Sequence, residues 1–152
     1  MLEVGSKAID FTLKNQFNED ISLSMFKGKK IVLYFYPKDN TPGCTTQACS
    51  FRDNFERFKD NDIVVIGVSV DDVNSHKKFI EKFDLPFHLL ADTEKKVVND
   101  YQVWVEKSMY GKKYMGTQRS TFIIDEFGVI EKVFEKAKPD TNASEILEYL
   151  NK

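Results

Sequence analysis

Hydrophobic positions along the chain fall into short runs separated by helical stripes. Phe11 and Leu13 alternate with polar neighbours and predict a short early strand. Lys30-Ile31-Val32-Leu33-Tyr34-Phe35-Tyr36 is nearly continuous and predicts a strand covered on both faces. Pro37 ends it, and Lys38 to Gly43 is a loop of turn residues. From about Pro42 to Lys59 the residues Ala48, Phe51, Phe55 and Phe58 share one helical face. Ile63 to Val68 is a second buried strand.

Asp71 or Asp72 is placed to cap the next helix, which carries Phe79, Ile80 and Phe83 inward. Pro86 breaks that pattern, Phe87 to Ala91 predicts another short strand, and a helix follows around Glu94 to Tyr101. Lys107 to Gly116 is polar, contains two Gly and two Tyr, and reads as a loop. Thr121 to Ile124 is a strand, Asp125 to Gly128 a hairpin turn, and Val129 to Phe134 its partner strand. Ile146, Leu147 and Leu150 predict a final helix, capped by Thr141 or Asn142. No repeat or linker interrupts the series, so residues 1–152 are expected to form one domain. Alternating strands and helices with a late hairpin predict an α/β fold with parallel central strands and an antiparallel pair. The order fits a thioredoxin-like fold: a central mixed sheet flanked by helices, with a short N-terminal strand extension.

Composition leaves this picture intact and removes some functions. At 152 residues, with 41% hydrophobic and 30% charged side chains, the chain can bury a core without disulfides or metals. Thirteen Phe predict an aromatic-rich core. A net charge of -2 argues against a nucleic-acid surface. No apolar run approaches bilayer length, and the first residues lack the pattern of a signal peptide, so a cytoplasmic location is expected. His76 and His88 stand alone, without the spacing of a zinc motif relative to the cysteines. Trp104, Tyr110 and Tyr114 read as packing residues.

The two cysteines change the picture most. Thr41 suits an N-cap and Pro42 the first helical position, which puts Cys44 at the third. The unpaired amides of a first turn and the helix dipole favour negative charge there, and therefore the nucleophilic thiolate. Gly43 carries no side chain, which leaves room for a small substrate to approach. The plainer reading is a small core residue at a helix start. Cys49 lies further along the same helix, off the inward face and nearer solvent. Residues at that spacing are separated by about 8–9 Å between Cα atoms on a helix. A disulfide needs less than about 7 Å, so pairing requires the first turns to unwind. On spacing alone, an unrelated surface or partly buried thiol is the simpler reading of Cys49.

At these residues the sequence resembles the peroxiredoxins, in particular the bacterioferritin-comigratory or Q-type subgroup with both cysteines in one helix. Pro37, Thr41 and Cys44 match the family's Pro-x-x-x-Thr-x-x-Cys pattern, Cys49 the subgroup's resolving cysteine, and Arg119 an arginine before a late strand. The similarity extends through Trp104 to Lys107 and Tyr110-Gly111. Two departures stand out: Gln102 where Gly is expected and Thr117 where an apolar residue is commoner. The resemblance implies a thiol peroxidase that acts on hydroperoxides. Cys44 would be the peroxidatic cysteine and Cys49 would resolve its sulfenic acid. Arg119 would stabilise the thiolate and polarise the peroxide, Thr41 would hydrogen-bond the thiolate or peroxide, and Pro37 would exclude water. A dithiol such as thioredoxin would reduce the disulfide, with no metal or organic cofactor, and an intramolecular resolving partner makes a monomer sufficient. A thiol–disulfide oxidoreductase would carry Cys-x-x-Cys, which is absent, and a non-enzymatic redox sensor would oxidise without turnover.

Overall fold

The computed structural model describes residues 1–151. Two β-branched and aromatic runs pair in parallel at its centre: β3 (Lys30–Phe35) beside β4 (Ile63–Ser69). β5 (His88–Ala91) continues the parallel side next to β4. On the other flank β8 (Ser120–Ile124) runs antiparallel to β3, and β9 (Ile130–Phe134) antiparallel to β8. β1 (Thr12–Lys14) and β2 (Asp20–Ser22) cover the β5 edge, which gives the order β2-β1-β5-β4-β3-β8-β9. This is a mixed sheet of the thioredoxin-like kind.

Both faces of that sheet are buried, which is why β3 reads as a continuous apolar run. Val32, Tyr34 and Tyr36 point to one face, and Ile31, Leu33 and Phe35 to the other. The first face is covered by α1 (Pro42–Asp53), α2 (Phe55–Asp60), α3 (Val73–Phe83) and α5 (Asn142–Leu150), through Phe51, Phe58, Phe79 and Ile146 among others. The second face carries α4 (Lys96–Asp100) and the N-terminal segments, with Val97, Val98, Phe11 and Leu23 inward. The expected aromatic core is present: Tyr34 stacks on Phe51 with ring centroids 4.7 Å apart, and Phe35 meets Phe122 edge-on at 5.8 Å.

The structure departs from the sequence reading in three places and decides between two cap candidates in a fourth. The helix expected over residues 42–59 is interrupted at Asn54, whose side-chain amide donates to the Ser50 carbonyl at 2.8 Å and offers the backbone a local alternative. The expected loop at 107–116 is a hairpin of β6 (Trp104–Met109) and β7 (Lys112–Thr117). Its two-residue turn, Tyr110-Gly111, has positive φ at both positions (52° and 78°), the conformation of a type I′ hairpin. Strand β2 has no counterpart in the reading. Of the two cap candidates for α3, Asp72 takes the position and accepts from Ser75 N at 2.8 Å, while Asp71 holds the loop before α1.

Candidate active site

The register of the sheet builds the site. β3 pairs with β8 so that Tyr34 faces Thr121 and Phe35 faces Ser120. Tyr36 continues beside β4, its N–H donating to the Val68 carbonyl at 3.1 Å. The chain then leaves through residues 37–41 and returns as α1. Arg119, the residue before β8, therefore lies at the same end of the sheet as the first turn of α1, although 75 positions separate it from Cys44 in sequence.

Cys44 is at the third position of α1, as the capping pattern implies, and is 2% exposed. Arg119 Nη2 donates to its Sγ at 3.4 Å. Thr41 occupies the N-cap with extended backbone, but its hydroxyl does not cap the helix: it donates to the Lys38 carbonyl at 2.8 Å. The loop turns tightly enough there that the carbonyl competes for the hydroxyl. Pro37 is half-buried at the start of the loop. Cys49 is half-buried on the same unbroken helix, and both cysteines are unpaired thiols. An intact helix keeps them apart by the geometry described above.

Gly43 also makes room for Arg119. A Cβ added there would stand 3.0 Å from Arg119 Nη2, so the space that glycine leaves open is filled by the guanidinium. Gln47, one turn on from Cys44 and fully buried, is a residue the pattern reading missed. Its Oε1 accepts from Arg119 Nη1 at 2.8 Å, and its Nε2 donates to Asn142 Oδ1 at 3.3 Å. Asn142 Oδ1 also accepts from Thr121 Oγ1 at 2.8 Å. Both terminal nitrogens of Arg119 thus have set partners, and the plane of the guanidinium is fixed. The signal was present: Gln47 is a polar side chain on the inward stripe of α1.

Charges follow burial. Tyr34, beneath the site, has its phenol pushed well up by burial, then by the charges of Cys44 and Asp39, with Arg119 opposing. Lys107, on β6, is pulled down by burial and by the Arg119 cation, while Cys44 acts in the other direction. Lys107, Gln118, Arg119 and Lys136 border a shallow cavity of about 280 Å³. A larger cavity, about 450 Å³ between Phe17, Phe55 and Pro86, has none of these site residues in its lining. His76 and His88 do not approach the cysteines as ligands: His76 bonds Asp39 and the Leu90 carbonyl, and His88 bonds Asn15.

A buried thiol opening a helix on a thioredoxin-like sheet, under a fixed cation, defines a cysteine-dependent redox protein. Comparison with known proteins narrows the class. The AhpC/TSA family model matches residues 4–133, and the chain belongs to that family, which is one of thiol peroxidases. It is 51% identical to peroxiredoxin Bcp of Bacillus subtilis (strain 168) over 149 residues, covering 98% of this chain and 95% of that one. It is 49% identical to a putative peroxiredoxin bcp of Coxiella burnetii, covering 96% and 97% respectively. Among solved structures it superposes on a cysteine-to-serine mutant of PrxQ from Xylella fastidiosa with TM-score 0.94 and 32% identity, covering 99% of this chain and 96% of that one. The bacterioferritin comigratory protein of Xanthomonas campestris, described by its alkyl peroxide reduction activity, gives TM-score 0.90 at 33% identity, with the same coverage of 99% and 96%.

Proposed function

We propose that this protein reduces hydrogen peroxide and organic hydroperoxides with Cys44 as the attacking thiolate, and that residues 1–152 act as one domain. The observation that carries the reading is the Arg119 Nη2 to Cys44 Sγ contact at 3.4 Å, on a buried thiol in the first turn of a helix. A cation held at that distance offers donors to a peroxide oxygen beside the attacking sulfur. The thiolate attacks one peroxide oxygen, the O–O bond breaks, and the departing alkoxide or hydroxide takes a proton to leave as alcohol or water. Cys44 is left as a sulfenic acid. Thr41 presents its hydroxyl to the peroxide once that hydroxyl swings from the Lys38 carbonyl, and Pro37 limits water at the sulfur.

Cys49 then attacks the sulfenic sulfur, forming the Cys44–Cys49 disulfide and releasing water. An external dithiol, of which thioredoxin is the natural form, reduces the disulfide by exchange. Both cysteines belong to one chain, so the cycle runs in a monomer. A reducing cytoplasm suits it because the resting enzyme needs both thiols.

The test is intact mass and peroxide turnover on wild type, Cys44→Ser and Cys49→Ser. Activity is expected to vanish without Cys44, and one added oxygen is expected to be trapped without Cys49. Thioredoxin-dependent turnover in Cys44→Ser would sink the assignment. Normal cycling in Cys49→Ser would remove only the resolving step. Insulin reduction without peroxide consumption would identify a thiol–disulfide oxidoreductase instead.

A further inference from the structure

The loop that leads into α1 is tied to the body of the protein at Asp39, a buried residue that the cycle above does not use. Both carboxylate oxygens are engaged. Tyr36 Oη donates to Oδ1 at 2.5 Å, and Ser75 Oγ donates to Oδ2 at 2.7 Å. His76 Nδ1 lies 2.7 Å from the same Oδ2, and its Nε2 lies 2.9 Å from the Leu90 carbonyl. A carbonyl only accepts, so Nε2 carries a proton and the ring is clamped at both nitrogens. The Asp39 N–H donates to Asp71 Oδ2 at 2.8 Å, an oxygen that Ser69 Oγ also holds at 2.7 Å. Burial pushes the Tyr36 phenol well up, which keeps it a donor. The loop is therefore fastened to the ends of β3 and β4 and to the first turn of α3.

A buried acid–histidine pair is a poor way to gain stability, because desolvation offsets its attraction, and apolar residues would pack as well. What it adds is a single geometry. The place where that geometry matters is the segment from Pro37 to Thr41, which leads into the first turn of α1, where Cys44 sits. The opposite anchor, Arg119 to Gln47 to Asn142, must open whenever α1 unwinds to bring Cys49 to Cys44. Nothing in the Asp39 cluster lies on α1, so this half need not open.

We propose that Asp39 and His76 are positioning residues for the peroxide step: they hold the Pro37–Thr41 segment in place where it enters the turn of Cys44 and keep that segment folded while α1 unwinds and reforms. The proposal rests on the reading of Cys44 as the peroxidatic thiol.

The experiment compares two reactions of the reduced protein, in wild type, His76→Asn and the milder Tyr36→Phe, each checked for folding by circular dichroism. One is the second-order rate of Cys44 oxidation by hydrogen peroxide. The other is its alkylation by iodoacetamide, which needs a reachable thiolate but not a peroxide pocket. The loss of a buried hydrogen bond to a charged group predicts a peroxide rate about tenfold lower in each variant, with alkylation within about twofold of wild type. If His76→Asn does not fold, Tyr36→Phe decides. Peroxide rates that stay at the wild-type value, or that fall in step with alkylation, overturn the positioning role. That failure is distinct from failure of the underlying reading, which shows as peroxide turnover persisting in Cys44→Ser.

Discussion

Arg119 depends on its neighbours more than any other residue of the site. Its guanidinium meets the thiol through Nη2 and Gln47 through Nη1, and the absence of a side chain at Gly43 leaves room for it there. The expected consequence is that Gln47→Ala slows Cys44 oxidation by peroxide about tenfold, the cost of one lost charge-assisted bond that fixes the cation. Stopped-flow oxidation of the reduced variant measures this, and a wild-type rate would show that Arg119 holds its plane without Gln47. The two departures from the family pattern are also explained residue by residue. Gln102 has φ of 60°, a left-handed backbone in which glycine is at ease. Thr117 is buried, and its hydroxyl has no hydrogen-bond partner among the described residues, which is why an apolar side chain is the commoner choice there.

Helix α1 carries both thiols, and its cooperativity governs their meeting. A disulfide between Cys44 and Cys49 is incompatible with an intact helix by geometry, so one equivalent of peroxide is expected to strip amide protection from residues 44–49. The β3 and β8 amides are expected to keep theirs. Hydrogen exchange with mass spectrometry reads both, and a fully protected α1 in disulfide-bonded protein would rule out the unwinding. Other elements differ in how far local pattern reveals them. β3 and β4 announce themselves because two buried faces demand a continuous apolar run. The β6–β7 hairpin does not, because residues on both of its faces are largely exposed and no alternation survives. Its signal is the Tyr110-Gly111 turn, a two-residue connection that a polar stretch disguises as loop. The break at Asn54 is equally quiet, since an inward stripe continues through Phe58 on either side of it.

The packing of the whole molecule makes one group sensitive to pH. His88, on β5 under the N-terminal edge, accepts from Asn15 Nδ2 at 3.2 Å, and burial lowers its pKa from 6.5 despite the opposing charge of Glu19. The unfolded chain therefore binds more protons than the folded one just below that value, and stability rises with pH there. The urea midpoint is expected to drop as pH falls from about 7.5 to about 5, and to drop less in His88→Gln; equal drops in both would clear His88 as the cause. The architecture around it was largely legible. Alternating runs and stripes specify the order of strands and helices, the parallel centre, the late hairpin and a cysteine in the first turn of a helix, because each depends on residues close in sequence. Thr41 shows the limit even there: its identity marks a cap, yet its hydroxyl turns to Lys38. Arg119 was reachable from sequence only through resemblance. Its contact with Cys44, its bracing by Gln47 and Asn142, and the clamp of His76 on Asp39 depend on which strand ends and helix starts meet. Pairing between distant strands sets those meetings, so local periodicity carries Cys44 to the head of its helix but cannot supply the cation that stands over it.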